Sequence, residues 1–577
     1  MGLAAEVQDQ TSSSPSRLAA LPELPLFCAA KEHAQTRPDH IAVDDATKGQ
    51  QFTYRQLLAD TAALKQRLLE TLALTETGDL EERRIAFLVP NGYDYVVTQW
   101  AVWAAGGVCV PLCTSHPVKE LLYTIGDSDP SLFILHPTFA GTQDALLQGI
   151  DSSSNDTEIP FMHLTPFQQV TDTEPAALAM PAFFPLQSDQ WALTRRALMI
   201  YTSGTTANPK GCVTTHKNIT FQARSLVEAW QYSPADRLIH VLPLHHVHGI
   251  INGLAASLLA GVTVEMHPKF DPATIWRRWA EGGSTMFFAV PTIYSRLVDD
   301  FEARLRGTPQ EAAARAGAQA LRLVVSGSAA LPTPIKKKFA ACSGGQVLLE
   351  RYGMTEIGMG ISCGLPVEQR IDGSVGWPLP GVRARLTEKE TGRVIEGVDE
   401  DGMIEISGDN VFREYWRRPE ATAKEFTEDG WFKTGDVARR DAQGAYYIQG
   451  RASVDLIKSG GYKISALEVE RKMLGLDAIQ EVAVVGLADE EWGQRVAAVV
   501  KQRAGVSFAT RIDSTQTDIM TQTEPLELSS LRAQLKQEMA AYKVPTVLKL
   551  VDAIERNAMG KVNKKTIVQK YWPELAA

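Results

Sequence analysis

The chain has 577 residues, of which 44% are hydrophobic and 22% are charged, and its formal net charge is −10. This composition is typical of a globular protein, and the length predicts roughly two to four structural units. The acidic balance argues against nonspecific nucleic-acid binding, although a local anion site remains compatible with it.

The N-terminal segment, residues 1–24, is rich in Ser, Ala, Gln and Pro and carries three acidic residues against Arg17 alone. Transit peptides are basic and poor in acids, and secretory signals need an apolar core, so neither pattern is met. The C-terminal residues Pro-Glu-Leu-Ala-Ala are no peroxisomal signal. We predict a disordered segment over 1–24 and a cytoplasmic protein, with the mitochondrion as the alternative compartment.

Two largely apolar stretches, 93–112 and 250–264, are short or interrupted by polar residues such as Asp94 and Asn252. We therefore predict buried core and no membrane span. The six cysteines are scattered without a C-x-x-C pair, which predicts a reduced protein without a zinc site.

Buried apolar strands alternate with helical stretches through the first 440 residues or so. Strands are predicted at 85–89, 197–201, 237–242 and 321–325, each followed by a loop of Gly, Pro or Ser. This alternation predicts an α/β fold with a large N-terminal domain of parallel or mixed sheets covered by helices. Ligands in such folds bind at the carboxyl ends of the strands, so we expect the loops to converge there.

A second pattern begins after the predicted strand 445–449, with strands at 479–487 and 496–500 and a helix at 531–540. We predict a large domain over 25–450, a hinge at 451–455 and a small mobile α+β domain over 456–577. Two polar segments, 151–158 and 507–527, are interpreted as solvated insertions.

The segment from Tyr201 to Gly211 reads Tyr-Thr-Ser-Gly-Thr-Thr-Ala-Asn-Pro-Lys-Gly and directly follows a predicted strand. Its glycines, hydroxyl side chains and Lys210 suit a loop that binds phosphate. The spacing is not that of the common P-loop, and an ordinary hydrophilic loop is the alternative.

Four further segments follow in order: 351–356 (Arg-Tyr-Gly-Met-Thr-Glu), 430–436 (Gly-Trp-Phe-Lys-Thr-Gly-Asp), 450–461, which begins Gly-Arg, and 556–561 (Arg-Asn-Ala-Met-Gly-Lys). Together with the phosphate loop they resemble the adenylate-forming enzymes, which include acyl-CoA synthetases, peptide-synthetase adenylation domains and luciferase-like proteins. The resemblance runs from about residue 26 to the C-terminus. It implies ATP, Mg²⁺ and coenzyme A as cofactor and co-substrates.

The resemblance assigns a role to each motif. Lys210, Thr355, Glu356 and Lys561 are the implied catalytic residues, with Glu356 as the ligand of Mg²⁺. Asp436 and Arg451 are expected to hold the ribose. The residues implied to bind ATP are Thr202, Ser203, Gly204, Thr205, Thr206, Ser326, Gly327, Ser328, Ala329, Arg351, Tyr352, Gly353, Met354, Asp436 and Arg451.

In this family the small domain rotates between two reactions at one site. Lys561 serves the adenylation step, and the rotation then brings Lys458, Ser459, Gly460 and Gly461 to a tunnel for the pantetheine arm of coenzyme A. A lysine near Lys564 and Lys565 would otherwise be interpreted as part of a solvated face.

The segments 242–249, 350–356 and 412–416 resemble malonyl-CoA synthetases, which also take methylmalonate. This resemblance implies malonate as the acid, and two arginines, Arg296 and Arg351, would suit its second carboxylate. His246 and Ser326 complete the predicted acid-binding residues. The alternatives are that Arg296 lies on a helix surface and that the histidines only pack.

Four other functions stay open at this point. They are a ligase for another short- or medium-chain acid, an enzyme that loads a carrier protein, a luciferase-type oxygenase and an inactive binding protein. No carrier segment follows Lys561, which weakens carrier loading within one chain. We expect small-molecule substrates, no nucleic-acid or membrane partner, and a monomer or a dimer.

Overall fold

A computed structural model describes residues 18–153, 159–170, 179–186, 194–202, 209–503, 526–556 and 561–575. The predicted phosphate-loop residues Ser203, Gly204, Thr205 and Thr206 lie outside these ranges. So do most of the two predicted insertions and residues 1–17 of the N-terminal segment.

Two large sheets form the N-terminal domain. The first has seven strands in the order β20-β10-β9-β5-β4-β6-β7, and the inner pairs around β4 and β5 are parallel. Its strands are β4 (Arg84–Leu88), β5 (Val108–Pro111), β6 (Leu132–Leu135), β7 (Phe161–His163), β9 (Arg196–Thr202), β10 (Lys210–Thr215) and β20 (Glu414–Tyr415).

The second sheet has nine strands in the order β17-β16-β15-β14-β13-β11-β12-β2-β3 and is parallel from β2 through β15. Its strands are β2 (Ile41–Asp45), β3 (Gln50–Thr53), β11 (Arg237–His240), β12 (Thr263–Met266), β13 (Met286–Ala289), β14 (Leu323–Ser326), β15 (Leu349–Met354), β16 (Gly358–Ser362) and β17 (Trp377–Pro378).

Smaller sheets complete the fold. An antiparallel sheet closes the large domain with β18 (Arg383–Thr387), β19 (Gly402–Ser407), β21 (Phe432–Arg440) and β22 (Tyr446–Arg451). The small domain contains β23 (Leu456–Ser459), β24 (Tyr462–Ser465), β25 (Ile479–Asp489), β26 (Gly493–Gln502) and β27 (Val547–Leu550). A parallel pair joins β1 (Leu21–Pro22) to β8 (Phe183–Phe184).

Helices cover the sheets. Those of the large domain are α1 (Pro25–Thr36), α2 (Tyr54–Thr71), α3 (Tyr93–Ala104), α4 (Val118–Ser128), α5 (Gln143–Ser153), α6 (His216–Trp230), α7 (Ala256–Leu259), α8 (Pro272–Glu281), α9 (Pro291–Asp300), α10 (Glu311–Gln319), α11 (Thr333–Cys342) and α12 (Pro419–Lys424). The small domain has α13 (Ala466–Met473), α14 (Leu528–Glu538) and α15 (Lys564–Tyr571). Short 3₁₀ or π turns occupy Pro137–Thr142, His248–Ala255, Phe301–Leu305, Val367–Gln369, Ala541–Lys543 and Pro573–Leu575.

Local sequence explains where α6 begins and which face it buries. The Thr215 side chain accepts a hydrogen bond from the Asn218 backbone, and Asn218 Oδ1 accepts one of 2.8 Å from the Thr215 backbone, which forms a capping box. Ile219, Ala223 and Leu226 recur at helical spacing and are buried. The helix is thereby fixed beside β10, the strand that leaves the phosphate loop.

The predicted fold class is confirmed. Each strand predicted in the large domain lies within two residues of an observed one, and the apolar stretches 93–112 and 250–264 are buried core. Among the helices of the described ranges, none combines the length and the apolar character that a bilayer crossing requires.

The N-terminal segment departs from its prediction of disorder over 1–24. In its described part, Leu21 and Leu24 are buried, and the Leu21 backbone donates a 2.8 Å hydrogen bond to the Ala182 carbonyl. The prediction is therefore wrong for this part. The prediction followed the average composition, which is polar. It did not take account of two leucines whose burial removes apolar surface from water.

Candidate active site

The predicted phosphate loop lies between β9 and β10, which pair in antiparallel register at Thr202 and Lys210. The Lys210 ammonium lies 3.8 Å from the centroid of the Tyr415 ring and 3.9 Å from Glu425 Oε1. The ring attracts the cation through its π face, and the Glu425 carboxylate is close enough for an ion pair. Lys210 thus lies at the end of the predicted loop, next to Tyr415 and Glu425.

Tyr415 also contacts the predicted metal ligand. Its hydroxyl donates a 2.8 Å hydrogen bond to Glu356 Oε1, and Glu356 is buried. Burial raises the pKa of Glu356, while Tyr415, Arg451 and Lys210 oppose that rise. Two cations from distant parts of the chain, Arg451 and Lys210, therefore act on Glu356.

Glu356 fits a magnesium ion by its chemistry. Mg²⁺ is bound in nucleotide sites by one or two carboxylates together with phosphate oxygens and water. A buried carboxylate whose pKa rises on desolvation is stabilised by a hard cation. Within the described ranges, no cluster of three or more His, Cys, Asp or Glu side chains could hold a metal.

The segment 351–356 ends β15 and enters the hairpin turn to β16, and so it is not a helix cap. A Cβ atom on Gly353 would lie 2.0 Å from the Gly358 carbonyl, so only glycine fits there. The hairpin places the buried Thr355 and Glu356 at the carboxyl end of the parallel sheet.

Asp436 is the centre of the predicted ribose site. Its Oδ2 accepts a 2.6 Å hydrogen bond from the Tyr352 hydroxyl, and its Oδ1 accepts one of 3.0 Å from Arg451 Nε. Asp436 and Arg451 face each other across β21 and β22. Each carboxylate oxygen keeps a second acceptor position, which is what ribose hydroxyls require.

The predicted acid pocket centres on Arg351, whose residue surface is 4% exposed. Its Nη2 donates a 3.1 Å hydrogen bond to Ser328 Oγ, which also lies 3.5 Å from His248 Nδ1. A Cβ atom on Gly327 would come within 2.3 Å of Arg351 Nε, so this glycine makes room for the guanidinium. Buried Ser326, at the end of β14, continues the same wall.

The charge of Arg351 is poorly balanced by the protein. Burial lowers its pKa to about 9, with no carboxylate opposing the shift, and its Nε has no hydrogen-bond partner among the described residues. Buried charges are normally paired, because desolvation is costly. The arrangement therefore suits an anion.

Lys561 of the small domain lies in the cleft beside these groups. Burial lowers the pKa of Lys561, the charges of Arg351 and Arg451 lower it further, and Asp436 and Glu356 oppose them. Burial also lowers the pKa of His246 well below its usual value, with Lys561 as the next cause, so this imidazole is neutral. The small domain thus places Lys561 near the residues predicted to bind the nucleotide.

The predicted hinge connects to the predicted ribose site through Arg451, the last residue of β22. Its backbone N–H donates a 3.0 Å hydrogen bond to Asp455 Oδ2, and the Asp455 N–H donates one of 2.8 Å to the Arg451 carbonyl. The Lys564 ammonium of α15 lies 2.6 Å from Asp455 Oδ1. Asp455 therefore contacts both domains.

Arg296 does not join the acid pocket, contrary to the prediction. It is exposed on α9, and its guanidinium lies 5.0 Å from the centroid of the Phe270 ring. The buried residues Tyr294, Leu297 and Val298 define the inner face of α9, and position 296 lies on the outer face. The two-arginine pocket is thus reduced to Arg351.

The predicted coenzyme A residues lie at the turn between β23 and β24. Lys458, Gly460 and Gly461 are exposed, and the Gly460 N–H donates a 2.9 Å hydrogen bond to the Trp492 carbonyl. These contacts are within the small domain. The predicted role of this turn therefore requires the other orientation of the small domain.

Two site residues were missed by the sequence analysis, Tyr415 and His248. Tyr415 lies in the segment 412–416, which resembles malonyl-CoA synthetases, but no single residue of that segment was given a role. His248 opens a π-helical segment, His248–Ala255, and such turns often occur at functional sites. In the sequence, the only feature that could have marked His248 is its position directly before Gly249.

Comparison with known proteins agrees with this geometry. The description "AMP-binding enzyme" matches residues 30–416, and "AMP-binding enzyme C-terminal domain" matches residues 468–561. A CoA ligase of Gibberella moniliformis is 41% identical, with 93% of each chain covered. The mitochondrial malonate–CoA ligase ACSF3 of Mus musculus is 40% identical, with 93% of this chain and 89% of the mouse protein covered.

Among solved structures, ATP-bound MatB from Rhodopseudomonas palustris aligns with a TM-score of 0.79. It is 31% identical, and the alignment covers 96% of this chain and 100% of MatB. The order of motifs, the two-domain fold and these matches agree. The chain belongs to the AMP-binding enzyme family.

Proposed function

We propose that this chain ligates malonate to coenzyme A through a malonyl-adenylate, with release of AMP and pyrophosphate. The observation that carries the proposal is the buried, unpaired charge of Arg351 beside Ser328, His248 and His246. A fatty acyl chain would leave that charge uncompensated, whereas the distal carboxylate of malonate would neutralise it. The similarity to the mouse malonate–CoA ligase supports the same choice.

In the first step the reacting carboxylate of malonate attacks the α-phosphorus of ATP. A carboxylate–phosphorus bond forms, and the bond to pyrophosphate breaks. Lys210 is assigned to the β- and γ-phosphates and Asp436 with Arg451 to the ribose. Lys561 bridges the attacking carboxylate and the α-phosphate, because a cation is needed where two anions approach each other. A magnesium ion, when bound, neutralises phosphate charge, and Glu356 is its proposed ligand.

In the second step the thiol sulfur of coenzyme A attacks the acyl carbon. A thioester forms, the acyl–phosphate bond breaks, AMP leaves, and the thiol proton passes to solvent. The small domain rotates first in this proposal, because Lys561 lies near Arg351 and Arg451 and the turn carrying Lys458, Ser459, Gly460 and Gly461 is largely exposed. Such gating by domain rotation is an established device. The rotation pivots at residues 451–455 in this proposal.

The neutral state of His246 contributes to selectivity. Since burial and Lys561 lower the pKa of this imidazole, it adds no charge to a site that already holds Arg351 and Lys561. It is suited to donate or accept a hydrogen bond with the substrate. A methyl group on the central carbon of malonate adds no charge, so methylmalonate is the second substrate that we expect.

The position of Arg296 favours one alternative within the same chemistry. With a single arginine in the pocket, a short monocarboxylate with a polar end is also compatible. We keep this ligase for another short acid as the second candidate. It differs from the first in one measurable property, the need for a second carboxylate.

The test is an assay of AMP and acyl-CoA formation with Mg-ATP and coenzyme A. Malonate, methylmalonate, succinate, acetate and octanoate are offered in parallel at equal concentration. A preference for malonate supports the proposal. A preference for acetate or octanoate would overturn the assignment of Arg351, and AMP without acyl-CoA would point to a different acceptor.

For the compartment we propose the cytoplasm, where cysteines stay reduced, as the six free cysteines of this structure are. The mitochondrial relative in mouse makes the mitochondrion the alternative. Cell fractionation of the full chain with a C-terminal tag separates the two.

A further inference from the structure

A second set of contacts joins the small domain to the large one, among residues that have no part in the proposed chemistry. The small domain contributes the end of α13, the turn that follows it and the residue directly after β26, and the large domain contributes α9, α11 and a turn near residue 373. We call this the interdomain face. Its members are Arg471, Asp477 and Arg503 of the small domain and Asp299, Lys338 and Gly373 of the large domain.

Arg503 makes the most direct contact across the interdomain face. Its Nη1 donates a 3.1 Å hydrogen bond to Asp299 Oδ1, near the end of α9. Its Nε donates one of 3.2 Å to the Asp477 carbonyl, and its backbone N–H donates one of 2.8 Å to the Ala478 carbonyl. Because the planar guanidinium is held by the small domain on one side, its other side is directed at Asp299.

A second ion pair runs in the opposite sense. The Lys338 ammonium of α11 lies 3.5 Å from Asp477 Oδ1, so here the large domain supplies the cation and the small domain the anion. Alternation of sign favours one register of the two surfaces and disfavours shifted ones. The turn also packs closely, since a Cβ atom on Gly475 would lie 3.7 Å from Pro334 Cγ at the start of α11.

Arg471 extends the interdomain face from α13. Its Nη1 donates a 3.4 Å hydrogen bond to the Gly373 carbonyl, and its buried Nε has no hydrogen-bond partner among the described residues. Burial raises the pKa of Glu350 to about 7, and the charges of Lys336 and Arg471 oppose that rise. Arg471 therefore acts on the residue directly before Arg351, the proposed acid-binding arginine.

The sheet of the small domain connects this face with Lys561. Asp477 lies just before β25 and Arg503 directly follows β26, and these two strands pair along their whole length. Val485 of β25 belongs to the hydrophobic cluster against which Val562, the neighbour of Lys561, packs. Close-packed interiors transmit displacement, so the position of Lys561 depends on how the interdomain face is seated.

We propose that Arg471 and Arg503 are positioning residues for Lys561, because they hold the small domain in the orientation that brings this lysine near the nucleotide site. Partly exposed ion pairs are individually weak. The domain rotates in every turnover in the function proposed above, however, so neither orientation is much more stable than the other. A weak contact then changes their ratio measurably.

The role in catalysis rests on the proposed function, whereas the seating of the interdomain face does not depend on which acid is used. The first experiment therefore contains no substrate. A carbodiimide joins an amine to a carboxylate without a spacer, so it links only groups in contact. Mass spectrometry measures the initial rate of the Lys338–Asp477 link, relative to the link of Lys217 to Asp409, a 2.7 Å pair within the large domain.

We expect the Lys338–Asp477 link in the wild-type chain. Arg503→Asp places like charges at the contact with Asp299, so the relative rate should fall by at least about fivefold. Arg471→Met should lower it by about twofold or more. Absence of the link in the wild type, or an unchanged rate in both variants, would overturn the proposal.

Exchange of the two charges separates an ion pair from a merely structural role. Asp299→Arg alone should lower the relative rate as Arg503→Asp does, and the two substitutions together should restore it to within about twofold of the wild type. No recovery in the double variant would overturn the assignment of this pair. If Arg503→Asp does not fold, Asp299→Arg still tests the contact from the large domain.

The second experiment compares the two half-reactions. In Arg503→Asp, exchange of pyrophosphate into ATP should fall by at least about fivefold, whereas thioester formation from preformed malonyl-adenylate should be equal to or faster than in the wild type. Lys536→Asp, a charge reversal at an exposed position of α14, is the control and should change neither rate. Equal loss of both half-reactions in Arg503→Asp would overturn the positioning role. Failure to use malonate would count against the proposed function alone, because the crosslinking result does not depend on the acid.

Discussion

The hydroxyl of Tyr415 donates a 2.8 Å hydrogen bond to the buried carboxylate of Glu356. The two residues are 59 positions apart, and Tyr415 reaches the site because β20 pairs with β10 beside the phosphate loop. The same tyrosine ring lies under the Lys210 ammonium. Tyr415 thus links Glu356, the proposed metal ligand, to Lys210, the proposed phosphate-binding lysine.

Tyr415→Phe should weaken the use of Mg-ATP while the ring under Lys210 is kept. A hydrogen bond to a charged group is worth about 1.5–3 kcal/mol, so we expect roughly a 10- to 100-fold fall in kcat/KM for ATP. The ATP dependence of AMP formation at several magnesium concentrations measures this. Tyr447→Phe, which removes a 3.1 Å hydrogen bond to Asp441 away from the site, is the matched control. Equal effects of the two variants would contradict the assignment.

Lys561→Ala should suppress adenylation by about 100-fold or more, as expected when a charge that stabilises a transition state is removed. Thioester formation from preformed malonyl-adenylate should be largely spared, because Lys561 leaves the cleft for that step in our proposal. Single-turnover assays of the two half-reactions separate these effects. Lys565→Ala, at an exposed lysine on the same segment, serves as control. Equal loss of both half-reactions would refute the two-orientation mechanism.

Arg351→Met should raise the KM for malonate far more than the KM for ATP. Loss of one partner of a buried, hydrogen-bonded charge pair costs about 2–5 kcal/mol, so kcat/KM for malonate should fall by at least about 30-fold. Arg296→Met, outside the pocket, should leave malonate kinetics unchanged. The reverse pattern in these two variants would restore Arg296 to the pocket.

The same Arg351→Met substitution has an expected effect on stability. Replacement of a poorly compensated buried charge by an apolar side chain of similar length is often neutral or stabilising. We therefore expect the substrate-free variant to show a Tm equal to or above that of the wild type. Thermal unfolding without ligands measures it. A fall of several degrees would mean that Arg351 is needed for folding.

Asp60 predicts a pH dependence of stability. Burial raises the pKa of Asp60 to about 6, against hydrogen bonds from Tyr93 and Gln56 that lower it. In an unfolded chain the pKa is about 3.9, so between roughly pH 4 and 6 the folded protein keeps a proton that the unfolded chain has lost. The free energy of unfolding therefore falls as pH rises through this window.

Asp60→Asn should remove the fall in the free energy of unfolding between about pH 4 and 6, because the amide does not titrate. The quantity compared is the free energy of unfolding of the variant minus that of the wild type. This difference should be larger at pH 8 than at pH 4 by on the order of 2 kcal/mol. Urea unfolding at both pH values gives the difference, and Asp39→Asn at an exposed position is the control. A difference between wild type and Asp60→Asn that is the same at both pH values would rule out the linkage.

The sequence was sufficient for those parts of the site that lie within one motif or in two adjacent strands. Asp436 and Arg451 pair because both belong to short segments with recognisable spacing and their strands are neighbours along the chain. The contact between Tyr415 and Glu356 could not be predicted, because it depends on a strand pairing that loop composition does not encode.

The sequence analysis gives the position of Arg296 on a helix surface only as the alternative, although the local sequence favours it. The apolar residues at 294, 297 and 298 follow helical spacing, and that phase directs position 296 outward. The N-terminal segment failed for a different reason. An average composition does not show the positions of a few apolar residues. Leu21 and Leu24 are buried by contacts with residues distant in sequence, which composition cannot predict.

The hydrogen bonds between Arg451 and Asp455 have a thermodynamic consequence. Arg451 belongs to the proposed ribose site, and Asp455 contacts Lys564 of the small domain, so one short segment reports on both nucleotide and domain orientation. If the two orientations change this segment, AMP must bind them with different affinities. By reciprocity, the departure of AMP then shifts the orientation by the same free energy. Product release would thereby reset the chain for the next molecule of ATP.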